Sequence, residues 1–289
     1  MKDNALNIEF GNAICYSGYR EDQSPVSRDF PSYEQVLEDL RILDHHWQYL
    51  RLYDCSRHAE LVLQVISNEG LDFKVMLGCD MRAEVSNPGC PWGADFVEER
   101  LQANRDENSL EIDRVISLAS HFPDIVLAIS VGNEATVEWT DHMVPVDSLI
   151  GYVRRIKQAV NHPVTFCENY VPWTSKLEPL VAELDFISLH TYPVWEYHSI
   201  ESAIEYTLQN YYSVADHYPL KPVVITEAGW TTNSNGRGIE PWKGSPDPME
   251  PEKHWGIFTV DRKPKLVMQE IYEHLWPHRP GVERPDPDL

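Results

Sequence analysis

Two stretches of this sequence end an apolar run on a carboxylate. One reads Ser130-Val131-Gly132-Asn133-Glu134-Ala135 and the other Val224-Ile225-Thr226-Glu227-Ala228-Gly229-Trp230. A single glutamate after a strand is commonly a helix-cap neighbour or an ion-pair partner. A pair is different, because desolvation and mutual repulsion push the two pKa values apart, so one can stay protonated while the other is ionised. Hydrolysis of an acetal uses that division of labour: an acid protonates the departing oxygen while a carboxylate attacks or stabilises the carbon left behind.

Such chemistry needs both groups on one rim, so the elements that carry them matter. Short apolar runs at Ile8-Cys15, Tyr49-Tyr53, Phe73-Leu77, Ile125-Val131, Val164-Cys167, Phe186-Leu189 and Val223-Thr226 read as strands. They are mostly continuous rather than alternating, as in parallel strands covered on both faces. Between them run amphipathic helical patterns. The first carries Val36, Leu40, Leu43 and Trp47 behind a Ser32…Gln35 capping box. Others cover Arg57-Glu69, Ser109-His121, Asp147-Val160, Lys176-Glu183, Glu201-His217 and Lys265-Trp276. Repeated β-α units without a break in composition predict a single α/β domain over residues 1–276, followed by a Pro-rich tail, 277–289. A doubly wound sheet normally shows a Gly-rich turn after its first strand, and Cys15-Tyr16-Ser17-Gly18-Tyr19-Arg20 has no such pattern. A TIM-type (β/α)8 barrel fits better, with its chemistry at the C-terminal strand ends.

The 289 residues carry 46 Asp+Glu against 24 Lys+Arg, a formal charge of −22, which disfavours nucleic acid, anionic membranes and polyanionic substrates. A neutral ligand remains, and 9 Trp with 14 Tyr supply flat rings on which the apolar faces of a sugar can stack. Trp139, Trp173, Trp195 and Trp230 follow strand ends and are candidate platforms, whereas Trp47 and Trp276 lie on helix faces and read as core. Cys15, Cys55, Cys79, Cys90 and Cys167 lack C-x-x-C spacing and read as ordinary thiols. Asp44-His45-His46 points its side chains in different directions, and H-E-x-x-H, G-x-S-x-G and P-loop patterns are missing, so neither a metal nor another cofactor is expected. No apolar stretch approaches a membrane span, and Met1-Lys2-Asp3-Asn4 opens no export signal. The lack of N-x-S/T sequons favours a bacterial origin. The expected location is periplasmic or secreted with the signal removed, with the cytoplasm as the alternative.

With those residues in view, the sequence resembles glycoside hydrolase family 17, the β-1,3-glucanases and related glucanosyltransferases. Val131-Gly132-Asn133-Glu134 and Thr226-Glu227-Ala228-Gly229-Trp230 are similar to its acid/base and nucleophile motifs. Leu50-Arg51-Leu52-Tyr53-Asp54, Val75-Met76-Leu77-Gly78, His190-Thr191-Tyr192-Pro193 and Glu252-Lys253-His254-Trp255-Gly256-Ile257-Phe258 match further stretches in the same order. The resemblance implies a retaining mechanism on a neutral laminarin-type glucan, with Glu134 as acid/base and Glu227 as nucleophile. Retention implies carboxyl groups about 5–5.5 Å apart. It further implies that Asn133 binds the sugar 2-hydroxyl and that Tyr192 touches the nucleophile or the sugar beside it. Tyr16, Arg51, Tyr53, Asp54 and His190 end other strands and are candidates for the same subsite, as are Glu240, Lys243 and Glu252 further on.

One departure from that pattern stands beside the nucleophile. Thr231 to Pro251 is rich in Gly, Pro, Ser and Asn and is too short for a loop, a seventh helix and an eighth strand. A βα unit of about 40 residues is therefore expected to be shortened or missing. His254-Val260 is an alternative, makeshift closing strand. Two rival functions follow: a non-catalytic β-glucan-binding barrel, and a retaining β-glycosidase of another linkage. Oligomeric state is not legible.

Overall fold

The computed structural model describes Leu6, Ile8, Glu9 and residues 11–232 and 254–274. Seven strands follow one another around a single parallel sheet in strict chain order. They are β1 (Ala13–Cys15), β2 (Tyr49–Arg51), β3 (Lys74–Gly78), β4 (Val126–Asn133), β5 (Val164–Asn169), β6 (Ile187–Thr191) and β7 (Val223–Ala228). Helices α1 (Tyr33–Asp44), α2 (Arg57–Glu69), α3 (Glu98–His121), α4 (Val146–Ala159), the short α5 (Tyr170–Trp173) and α6 (Glu178–Val181), α7 (Ile200–Ala215) and α8 (Val267–His274) complete the order. The result is a nearly closed TIM-type barrel. No described helix is long and apolar enough to cross a membrane.

Local sequence explains most boundaries. The Ser32 hydroxyl accepts from the Gln35 amide while the Gln35 side chain accepts from Ser32 N, so the anticipated capping box starts α1. Gly70, at φ 64°, ends α2 in the left-handed conformation that glycine adopts without strain. Helix α3 begins eleven residues before the predicted Ser109, because its first three turns are polar and carry little apolar periodicity. Leu50, Val75, Ile129, Val131, Val164, Phe166, Ile187 and Leu189 are essentially inaccessible, giving the barrel a dry core.

The expected shortfall lies between β7 and β1. Among the described residues no ladder pair joins these two strands. Their ends are instead linked by side chains: the Cys15 thiol donates to Thr226 O at 3.5 Å, and Arg51 Nη1 reaches the same carbonyl at 3.4 Å. The segment beginning at His254 does not form the closing strand that its apolar residues allow. It folds back on itself, with Thr259 N donating to Lys263 O, Lys265 N to Ile257 O, and a single antiparallel bridge between Phe258 and Pro264. Its turn is tight, with Arg262 at φ 62°. The Arg262 guanidinium forks onto the buried Asp39 carboxylate at 2.6 and 2.8 Å and onto Gly18 O at 2.7 Å. That clamp fixes the segment against β1 and α1, lining with them an open pocket of about 280 Å³.

Candidate active site

The site is assembled from the C-terminal ends of β2, β4, β6 and β7. Glu134 follows β4 directly and sits at φ 46°, after Gly132 at φ 106°. A Cβ at residue 132 would approach Phe166 and the Met81 side chain to 3.1 and 3.2 Å, so glycine suits both the angle and the space. This sharp turn aims Glu134 into the barrel mouth, and Glu134 N is tied to Cys167 O on β5 at 2.9 Å.

Glu227 is the more enclosed carboxylate. Its Oε1 accepts the Tyr192 hydroxyl at 2.6 Å, and its Oε2 is paired with Arg51 Nη1. Burial opposes its charge, but His190, Arg51 and Tyr192 together hold its pKa below the usual carboxylate value. Burial and the adjacent Glu227 push the Tyr192 phenol far up, so it remains a donor. Arg51 reaches further, its second terminal nitrogen donating to Asn133 Oδ1, and its guanidinium stacks 4.6 Å above the Tyr53 ring. The buried His190 stands between the carboxylates, Nδ1 at 3.0 Å from Glu134 Oε1 and Nε2 at 3.6 Å from Glu227 Oε2. The arrangement presents one anion preorganised by two donors and a second, more open carboxyl across an imidazole.

Most of the sequence candidates therefore meet here: Arg51, Tyr53, Asn133, Glu134, His190, Tyr192 and Glu227. Tyr16 does not, because its hydroxyl donates to Asp39 at 2.8 Å under α1. Asp54 accepts from Ser56 N and Oγ at 3.1 and 2.8 Å, organising the start of α2. Trp173 is fully buried, packing edge-on to Phe166, and is core rather than a sugar platform. Trp139 is 43% exposed, while Trp195 and Trp230 are half-buried, and Trp47 is core as expected, although it lies three residues beyond the end of α1 rather than on a helix face. Glu240, Lys243, Glu252 and Trp276 lie outside the described residues.

Several residues near the site are not among the candidates named from the sequence. Trp255 packs edge-on to Tyr192 at 5.1 Å and beside Trp195 at 6.4 Å, forming an aromatic wall next to Glu227. His142 bonds Asn133 O at 2.9 Å and Asp141 at 2.7 Å. Glu168 ends β5 as Glu134 and Glu227 end theirs, so the same strand-end signal could have found it. It is wholly buried, accepting from Thr136 N at 2.9 Å, Thr136 Oγ1 at 2.6 Å and Asn169 N at 2.7 Å. Burial raises its pKa to about 7, and its two bonds to Thr136 tie the turn that follows Glu134 to β5.

With this geometry in place, the comparisons with known proteins are informative. The model of the BtgE/BtgC glycoside hydrolase domain matches residues 13–240, well over half of the chain. The chain belongs to the BtgE/BtgC glycoside hydrolase family. Curated protein sequences contain no match. Among solved structures, this family member is similar to an endo-laminarinase from Formosa Hel1_33_131, with a TM-score of 0.72 and 24% identity over 90% of this chain and 86% of that one. A family 17 β-1,3-glucanosyltransferase from Rhizomucor miehei follows at TM-score 0.64 and 20% identity, covering 88% and 95%. A GH2 β-galacturonidase from Eisenbergiella tayi reaches TM-score 0.63 at 14% identity, covering 90% of this chain and 50% of its own. At these identities the likeness to all three is one of fold.

Proposed function

We propose that this glycoside hydrolase domain is a retaining enzyme acting on β-1,3-glucosidic bonds of laminarin-type glucan. The observation that carries the reading is the unequal carboxylate pair: Glu227 held ionised by Arg51 and Tyr192, and Glu134 more open across His190. In the first step Glu134 gives its proton to the glycosidic oxygen as Glu227 attacks the anomeric carbon. The C–O bond breaks, the leaving saccharide departs with the proton, and a glycosyl ester remains on Glu227. Water, or a hydroxyl of a second glucan chain, then attacks the same carbon. Glu134 takes the incoming proton, and Glu227 leaves as a carboxylate. Two inversions give retention, and the choice of acceptor separates hydrolysis from transglycosylation.

The fold neighbours named for laminarinase and β-1,3-glucanosyltransferase activity favour this linkage, and the anionic surface suits a neutral polymer. The aromatic wall of Tyr192, Trp195 and Trp255 supplies stacking surface beside the nucleophile. The intact set of donors around Glu227 favours an enzyme over a non-catalytic glucan-binding barrel. Reducing-sugar release from laminarin, set against β-1,4 and mixed-linkage glucans, tests both the activity and the linkage. Glu227→Ala is expected to lower kcat by about 10³-fold or more. Equal rates for wild type and Glu227→Ala would sink the assignment.

A further inference from the structure

Glu134 leaves its strand through a backbone that a regular ladder does not produce. Between paired residues, β4 advances from Ser130 to Asn133 while β5 advances only from Thr165 to Cys167, so β4 ends in a bulge. Gly132 at φ 106° and Glu134 at φ 46° flank its last residue, Asn133. A residue with a side chain keeps such a left-handed angle only where its surroundings fix it. Here the peptide joining Asn133 to Glu134 is held at both ends. Its N–H donates to Cys167 O on β5 at 2.9 Å, and its carbonyl, Asn133 O, accepts from His142 Nε2 at 2.9 Å. A carbonyl can only accept, so that ring nitrogen carries a proton.

The imidazole is itself aimed from the other side. Its Nδ1 lies 2.7 Å from Asp141 Oδ1 and 3.1 Å from Thr140 Oγ1. The loop that carries it is fastened to the segment between β3 and α3. The buried Asn87 side chain donates to Glu138 O and to Thr140 O, both at 2.8 Å, and the Cys90 thiol reaches Trp139 O at 3.2 Å. Beyond the histidine, Glu84 N donates to Met143 O at 2.9 Å. His142 is therefore presented from a fixed base, although its side chain is 36% exposed.

We infer that His142 is a positioning residue for Glu134, acting through the Asn133–Glu134 peptide. Because φ is measured from the peptide plane, holding the plane at both ends holds the direction in which the Glu134 side chain leaves the strand. The Asn133 side chain is secured separately, by Arg51 on Oδ1, so loss of the His142 bond falls on Glu134.

The kinetic consequence rests on the proposed acid/base role of Glu134, whereas the pinned peptide is a property of the resting protein. His142→Gln and His142→Asn test it as a pair. The Gln amide nitrogen reaches about as far as Nε2, while the Asn amide reaches only about as far as Nδ1. In amide hydrogen exchange, Glu134 N–H should exchange about tenfold faster in His142→Asn and stay within about threefold of wild type in His142→Gln. On laminarin, kcat/KM should fall about tenfold in His142→Asn and recover to within about threefold in His142→Gln. On a dinitrophenyl β-laminaribioside, whose leaving group departs without a proton, His142→Asn should lose less than about twofold. A general loosening of the fold would slow both substrates alike. A loss equal on the two substrates, or equal in the two variants, overturns the positioning role. Unchanged exchange at Glu134 in His142→Asn overturns the pin. If His142→Asn does not fold, Asp141→Ala at an exposed position decides, because freeing the ring should also speed that exchange and an unmoved rate overturns the pin. A wild type that cleaves neither substrate refutes the proposed activity, whereas exchange at Glu134 still decides the pin.

Discussion

The arc from β4 to β6 and the seam between β7 and β1 are built from similar apolar residues with opposite results. Along the arc Ile129, Val131, Phe166, Ile187 and Leu189 are fully buried, since each strand has a ladder on both edges and cover on both faces. At the seam, no residue of β7 is fully buried, Val224 is 37% exposed, and the outer residues of β1 are open. Strand sequence alone does not bury a strand; its neighbours do. Where the repeat is incomplete, the described chain holds itself with side chains. Arg51 spans from β2 to Thr226 and Glu227, and Arg262 clamps onto Asp39. Glu227 therefore sits on the less supported strand, and its placement depends on Arg51 more than it would in a fully laddered barrel.

Arg51→Met should accordingly produce the largest effect. It removes a preorganised donor from Glu227 and the side-chain link across the seam together. The expected loss is about 10²–10³ in kcat, the range found when such a donor is deleted. The sign of the pH effect follows from the same contact. Arg51 helps hold the Glu227 pKa below the usual carboxylate value, so the acid limb of kcat/KM should lie below about pH 4.3 in wild type. In Arg51→Met that limb should move to higher pH, because the anion loses a cation. For stability, a depressed carboxylate contributes above its unfolded pKa and loses that contribution as pH falls through the folded one. Wild type should therefore lose more stability than Arg51→Met on acidification below about pH 4. A pH–rate profile with an unmoved acid limb would break the link between Arg51 and Glu227.

Truncating one apolar side chain on each side of the comparison measures the difference in burial. Ile187→Ala on β6 empties a site with no solvent access and should cost about 2–5 kcal/mol in denaturant unfolding. Val224→Ala on β7 should cost less than about 1 kcal/mol, because much of that side chain already faces water. Equal losses would show that the seam is covered in solution. The Arg262 clamp comes next. Arg262→Ala leaves Asp39 buried but still bonded to Tyr16 and paired with Arg20 at 3.0 Å, so the expected cost is about 1.5–3 kcal/mol. Faster proteolysis between residues 254 and 265 should accompany it.

Much of this organisation is legible in the sequence, because parallel strands announce themselves as short continuous apolar runs, and each of the seven carries its own. The paired glutamates are legible for the same reason, standing where an apolar run stops. Other features depend on contacts that spacing does not encode. Tyr16 follows β1 as Tyr192 follows β6, yet one hydroxyl turns outward to Asp39 and the other inward to Glu227. Trp173 follows β5 like a rim aromatic, but the one-turn helix α5 folds it into the core. Cys167 reads as any core thiol in sequence; only the fold brings Ser130 Oγ from β4 to 3.1 Å and Thr226 Oγ1 from β7 to 3.6 Å of its sulfur. The apolar residues between His254 and Lys265 suit a strand as well as a turn, and the contact of Arg262 with Asp39, 223 positions away, decides for the turn.

Glu168 offers the finest test, because it shares its strand-end position with Glu134 and Glu227 while lying on the well-supported arc. All three of its hydrogen bonds come from protein groups, and two of them come from Thr136, two residues beyond Glu134. If its function is to brace that turn, Glu168→Gln should lower kcat by about tenfold, leave KM nearly unchanged and keep the fold. An amide retains one acceptor oxygen for Thr136 but turns a donor toward Asn169 N, so the brace is weakened rather than removed. Azide rescue separates bracing from chemistry. Small anions restore turnover when a missing carboxylate itself acts on the substrate, as expected for Glu134→Ala. They should not restore Glu168→Gln, whose site is filled and closed to solvent. Rescue of Glu168→Gln would move this third carboxylate from the frame into the reaction.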